Sequence, residues 1–209
     1  MSDTIQFYYN PMSRSRIVHW MLEEVGAPYE IKLLDFAKNE HKSPEYLKLN
    51  PMGKVPAIVH RDVVVTECAA ICAYLADAFP QAKLAPALDD PRRGTYLRWM
   101  FFAAGPLASA TADKGFPRGT PARPSSIGYG TYDDTISTLE TAIKPGPWVL
   151  GDQFSAADVY LGSQVSWGMM FKWIDPRPSF TRYSELCISR PAAKRAEELA
   201  NAIIAKMKG

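Results

Sequence analysis

Cysteine is scarce in this chain of 209 residues, and its placement argues against a disulfide framework: Cys68, Cys72 and Cys187 are odd in number and form no CxxC pair. Histidine is as sparse. His19, His41 and His60 stand far apart, so no zinc-type ligand spacing arises and no metal is expected. An excess of one charge is missing too, with 24 Lys and Arg facing 22 Asp and Glu. Without a basic cluster, no nucleic-acid partner is expected. No stretch reaches the roughly 18 consecutive apolar residues of a spanning helix, so no membrane partner is expected. The first residues, with Asp3 and Gln6, show neither the basic region nor the apolar core of an export signal, and the expected compartment is the cytoplasm.

Against these absences stands a hydrophobic content of 47%, enough for one large or two small cores. Ile5 to Tyr9 reads as a strand closed by Asn10-Pro11, and the apolar spacing of Ile17, Val18, Met21, Leu22 and Val25 predicts a helix over Ser15 to Val25 that stops at Gly26. A second strand follows over Tyr29 to Leu34. Ser43-Pro44 has the form of a helix start, and two short strands, Ala57 to His60 and Val63 to Val65, flank a turn at Arg61-Asp62. "TECAAICAYLADAF" predicts a helix with Thr66 as its N-cap. Beyond Pro80 the sequence is helical in pattern: "RGTYLRWMFFAAGPLASA", "IGYGTYDDTISTLETAI", "SAADVYLGSQVSWGMMFKWI" and the run after Pro191. This gives an α/β domain over residues 1–80, a linker over 81–90 and an all-helical domain over 91–209.

Three stretches carry chemistry. "NPMSRSR" places hydroxyls and guanidinium groups where a strand hands over to a helix, a position at which N–H groups favour an anion. Val55 precedes Pro56 and is pushed into extended geometry, which suits docking of a peptide-like ligand. Glu67 and Cys68 open the helix after the fourth strand. Ser155-Ala-Ala-Asp158 reads as a capping box, so Asp158 is expected to be structural.

Taken together and in this order, Phe7 to Gly26, Asn50 to Val59, Thr66 to Phe79 and "LGDQFSAADVYLGS" resemble the cytosolic glutathione transferases of bacterial type. The resemblance implies a thioredoxin-like N-terminal domain, an all-α C-terminal domain, glutathione as co-substrate and a homodimer. It also implies an enzyme that holds glutathione as a thiolate and adds it to a small hydrophobic electrophile. Alternatives are a glutathione-dependent peroxidase, an ether-cleaving or dehalogenating enzyme, or a non-catalytic protein that binds glutathione or an apolar ligand. Lowering a thiol pKa by about two units requires roughly 2.7 kcal/mol of preferential thiolate stabilisation.

By the same resemblance Ser13 is the first candidate for the activating hydroxyl, with Ser15 and Tyr8 as alternatives, and the loop has no cysteine for mixed-disulfide chemistry. Arg14 and Arg16 would hold positive potential near the sulfur, and Asn10 would orient the loop or approach the ligand. Pro56 is expected to be cis, with the Val55 backbone pairing to the cysteinyl part of glutathione. Glu67 would meet the γ-glutamyl ammonium group. Cys68 stands where the family usually has Ser, replacing a strong hydroxyl donor by a weak thiol donor. His41, Lys42 and Lys54 lie in loops that resemble those reaching the glycyl carboxylate. Tyr96, Trp99, Met100, Phe102, Trp167, Met170 and Phe171 are candidates for the co-substrate pocket, with core packing as the competing role for each. Arg118 and Arg123 fall in a Pro-rich loop that would border it.

Overall fold

A computed structural model of the chain describes residues 3–117, 119 and 123–208. It resolves into two compact units, one comprising Met1–Lys83 with Pro191–Gly209 and the other Leu84–Arg190.

The first unit begins with β1 (Ile5–Tyr9), α1 (Ser15–Val25) and β2 (Tyr29–Leu33), a parallel crossover in which Ile5 faces Tyr29 and Tyr9 faces Leu33. Helix α1 forms where the apolar spacing predicts it. Its residues Ile17, Val18, Met21 and Leu22 are buried, and the left-handed Gly26 (φ 64°) closes it by donating its N–H to the Leu22 carbonyl. After the short α2 (Pro44–Leu49), capped by the Ser43 hydroxyl, β3 (Ala57–His60) returns antiparallel to β1, and β4 (Val63–Thr66) pairs antiparallel with β3. Arg61 and Asp62 both have positive φ, the backbone a tight two-residue hairpin needs. The sheet order is β2-β1-β3-β4. Helix α3 (Cys68–Ala78) adds Ile71, Cys72 and Leu75 to the buried set.

Two expectations change in this unit. Thr66 ends β4, and the cap position of α3 belongs to Glu67, whose side chain makes no capping bond. The last helix, α9 (Pro191–Lys208), assigned by sequence to the helical domain, packs on α1 and groups with the first unit. Its Ala192, Ala196 and Ala200 form a buried small-residue stripe that allows close approach. Arg16 on α1 pairs with Glu197, while Arg195 meets Glu23 at 2.9 Å. Such long-range pairing leaves no local signal in the sequence.

The second unit consists of α4 (Arg92–Phe102), α5 (Ala108–Gly115), α6 (Tyr132–Ile143), α7 (Ala156–Met170) and α8 (Pro178–Ile188). Sequence spacing reads α4 and α5 as one helix. A wide turn over Ala103–Leu107 separates them, accommodating Pro106, which lacks the N–H that a regular turn would use. Helix α8 has no counterpart in the sequence reading, although Pro178 at its first position is a start signal. Helix α7 is apolar nearly all round and correspondingly buried. Among the described residues no helix is long and apolar enough to cross a membrane.

Candidate functional site

Sheet register decides which loops meet. Tyr8 pairs with Ala57, and Ala57 pairs with Thr66, so the end of β1, the residues before β3 and the end of β4 converge at one edge of the sheet. That convergence gathers the 10–15 loop, Val55-Pro56 and Glu67-Cys68. The Val55–Pro56 peptide bond is cis, and half-buried Val55 lies just ahead of the strand ladder. Cys68 Sγ lies 3.7 Å from the Arg14 carbonyl oxygen, tying the start of α3 to the loop.

Both loops that frame the site are built by the same device. Asn10-Pro11-Met12 and Asn50-Pro51-Met52 each fold as an Asx turn, the asparagine oxygen accepting the methionine N–H at 2.9 and 3.1 Å. Each Asn amide nitrogen then donates at 2.8 Å to a carbonyl elsewhere, Leu34 for Asn10 and Lys54 for Asn50. Asn10 is buried and both ends of its amide are engaged, so its part is to orient the loop. Asn50 escaped the sequence reading, and the repeated Asn-Pro-Met was the signal for it. Tyr46 supports the same turn by donating its hydroxyl to the Lys54 carbonyl. Gly53 has φ 58°, and a Cβ there would stand 2.7 Å from the His41 carbonyl oxygen, so only glycine fits.

The hydroxyls in the first loop are arranged unequally. Ser15 is fully buried, whereas Ser13 is partly exposed. Ser13 Oγ is 2.7 Å from the Asn10 carbonyl oxygen, 2.7 Å from Ser15 Oγ and 3.1 Å from the Ser15 N–H nitrogen. Tyr8 is on the other side of the strand from buried Phe7 and Tyr9, its ring 5.4 Å from that of Tyr46. Arg14 is exposed at the start of α1. Arg16, expected beside the sulfur, is instead paired with Glu197 on α9.

Glu67 is exposed and adopts φ 66°, ψ 123°, an uncommon conformation for a residue with a side chain, between the end of β4 and the first turn of α3. Cys68 beside it is buried, and loss of solvation pushes its thiol up to about 12, so it is not a ready nucleophile. The basic candidates are dispersed in role: His41 sits edge-on to Phe36, Lys42 donates to the Met52 carbonyl at 2.8 Å, and the Lys54 side chain is exposed. His19, given no role by sequence, is buried among Phe7, Tyr9 and Tyr29. Its Nε2 is 2.9 Å from the Tyr29 hydroxyl, and burial lowers its pKa to about 4.

In the second unit the co-substrate candidates divide by burial. Tyr96, Trp99 and Met100 are buried, which suits the core-packing role weighed for them beside the pocket role. Phe102 and Trp167 are half-buried, and Met170 and Phe171 are exposed. Phe101, passed over in the sequence, is the exposed aromatic of its run at 68%. Arg123 is exposed, and Arg118 lies outside the described residues. Asp158 is fully buried at the start of α7, within the capping box the sequence predicts. Among the described residues no group of three His, Cys, Asp or Glu could hold a metal.

The family model for the glutathione S-transferase N-terminal domain matches residues 4–77. Glutathione S-transferase 1 of Dianthus caryophyllus is 48% identical over 146 residues, 67% of this chain and 66% of its own length. Glutathione S-transferase 1 of Schizosaccharomyces pombe is 28% identical over 173 residues, 79% of this chain and 74% of its own. A glutathione transferase homologue from Sulfitobacter, solved with bound glutathione, superposes with a TM-score of 0.76 at 28% identity, covering 94% of this chain and 98% of that one. With its thioredoxin-like sheet, its cis-proline loop and these relatives, the chain belongs to the glutathione S-transferase family.

Proposed function

We propose that the protein is a transferase that binds glutathione where β1, β3 and β4 converge, stabilises its thiolate through Ser13 and delivers the sulfur to an apolar electrophile. The observation that carries this reading is the partly exposed Ser13 hydroxyl just before α1, in a loop free of cysteine. A hydroxyl that donates to sulfur beside a helix start favours the ionised form. The local groups fit the tripeptide. Glu67 offers an exposed carboxylate to an ammonium group, the first N–H groups of α3 suit a carboxylate, and Val55 offers an extended backbone ahead of β3. Glutathione supplies the nucleophilic sulfur, and the Sulfitobacter homologue binds the same molecule. Residues that recognise the electrophile are proposed among the exposed apolar side chains of the second unit, Met170 and Phe171 first. A homodimer is proposed as well, and a monomer in light scattering at low micromolar concentration would refute it.

The test is an ultraviolet difference titration of bound glutathione between pH 5 and 9. Thiolate absorbance should rise with an apparent pKa about two units below that of the free thiol, and Ser13→Ala should remove the difference, leaving roughly 25-fold less thiolate at pH 7. Binding without ionisation in the wild-type protein would refute thiolate activation. A panel of aryl halide, alkyl halide, conjugate acceptor and hydroperoxide then separates the transfer chemistries.

A further inference from the structure

The two serines of the loop form a directed hydrogen-bond ring whose sense follows from counting protons. The Asn10 carbonyl can only accept, so the 2.7 Å contact from Ser13 Oγ uses the single Ser13 hydroxyl proton. The Ser15 N–H can only donate, and it too points at Ser13 Oγ. With its own proton committed, Ser13 Oγ must accept in the 2.7 Å contact with Ser15 Oγ, so the Ser15 hydroxyl is the donor there. Ser15 Oγ in turn accepts the Asn10 N–H at 3.4 Å. The ring runs from the Asn10 N–H through Ser15 and Ser13 back to the Asn10 carbonyl. Ser13 is its one hydroxyl with exposed surface, and Ser15 has none.

We propose that Ser15 is a positioning residue that acts through Ser13: its buried hydroxyl holds Ser13 Oγ as an acceptor, so that the Ser13 proton is the one the ring can redirect outward to an anionic sulfur. Two donors on Ser13 Oγ polarise its O–H and strengthen the bond it gives. When that proton swings from the Asn10 carbonyl to a thiolate, both Ser15 contacts persist and keep the oxygen in place. Neither serine loses its proton. The thiol proton goes to solvent, and Ser13 contributes a hydrogen bond. The charged and titratable groups around the loop are Tyr8 and Tyr9 on β1, Arg14, Arg16 with its partner Glu197, His19 further along α1, and Glu67 and Cys68 at the start of α3. Substitutions at Ser15 change none of these.

This inference rests on the thiolate reading, and a double-mutant cycle separates the two. The apparent pKa of bound glutathione is measured by difference absorbance in wild type, Ser13→Ala, Ser15→Ala and the double variant, with Ser15→Thr as the conservative rescue. Ser15→Ala should raise the pKa by about one unit and Ser13→Ala by about two, and the double variant should match Ser13→Ala alone. Ser15→Thr should return most of the loss. If Ser15→Ala does not fold, Ser15→Cys puts a weak donor of nearly the same volume at the position and should show the same direction of change. A wild-type pKa in Ser15→Ala, with Ser13→Ala still effective, would overturn the relay and leave thiolate activation standing. So would a Ser15 effect undiminished in the Ser13→Ala background, since Ser15 would then be acting directly. Failure of the wild-type protein to ionise glutathione would overturn both.

Discussion

At the start of α7 and at the start of α1, serine hydroxyls meet backbone N–H groups, and the outcomes differ because only one of the two clusters contains a carboxylate. Asp158 takes the Ser155 N–H and hydroxyl on Oδ2, each at 2.9 Å, and the Val149 N–H and Tyr183 hydroxyl on Oδ1, each at 2.9 Å. Asp158, Ser155 and Tyr183 have no surface. A charged acceptor with both oxygens engaged leaves no proton that can be turned elsewhere, and the cluster serves stability. In the first turn of α1 there is no acidic residue. There the ring of neutral groups ends on a carbonyl, and its partly exposed member can change partner at modest cost. The same residue type at a helix start is locked in one place and redirectable in the other.

The closed cluster is the place to break the comparison hardest. Asp158→Ala strands the Tyr183 hydroxyl and two N–H groups in the core, and should lower unfolding free energy by about 3 to 5 kcal/mol in denaturant titration. Asp158→Asn should cost less.

A second experiment sets a buried histidine near the open loop against the buried carboxylate of the closed cluster. Burial holds His19 down to about 4, below its unfolded value near 6.5, so the unfolded chain binds more protons between those values. The stability His19 confers is present above 6.5 and lost as pH falls through about 4, at most about 3 kcal/mol. Asp158 works in the opposite sense. Burial pushes its carboxyl up to about 6, the folded state keeps the proton longer, and stability declines as pH rises from roughly 4 to 6. Between pH 4 and 6 the two contributions therefore oppose one another, and buried His60, also held down by loss of solvation, adds to the sense of His19. His19→Gln should shift the slope of stability against pH across that window toward a fall as pH rises, relative to wild type.

Gly53→Ala probes the second Asn-Pro-Met turn. It adds a Cβ at φ 58° against the His41 carbonyl, and should cost about 1 to 2 kcal/mol while weakening glutathione binding in calorimetry. The smallest effect belongs to Glu197→Ala. Its pair with Arg16 is substantially solvated, and loss of less than about 1 kcal/mol is expected in thermal or chemical unfolding.

Much of the first unit was legible because its signals are local. Helix α1 carries a full apolar face and a terminal glycine, and β3 and β4 are bounded by the turn residues Arg61-Asp62. The capping box of α7 was legible for the same reason, since Ser155 and Asp158 are three residues apart and bond to each other. Residues whose role depends on distant partners were not. Asn50 holds a carbonyl through a turn, Arg16 reads as a free cation until α9 supplies Glu197, and Tyr96, Trp99 and Met100 read equally as pocket or core until burial decides.

The sequence by itself determined the strand-helix-strand start, the helical second half, the absence of a disulfide or zinc spacing, and the identity of the loop that carries the hydroxyls. Periodicity, caps and turn residues act over a few positions, and a single chain displays them fully. Tertiary structure alone decided that three loops share one edge of the sheet, that Ser15 is buried behind Ser13, that Cys68 faces the Arg14 carbonyl, and that α9 rests on α1. Each of these depends on strand register or on packing between segments remote in sequence, and no local pattern encodes which remote partner will be met.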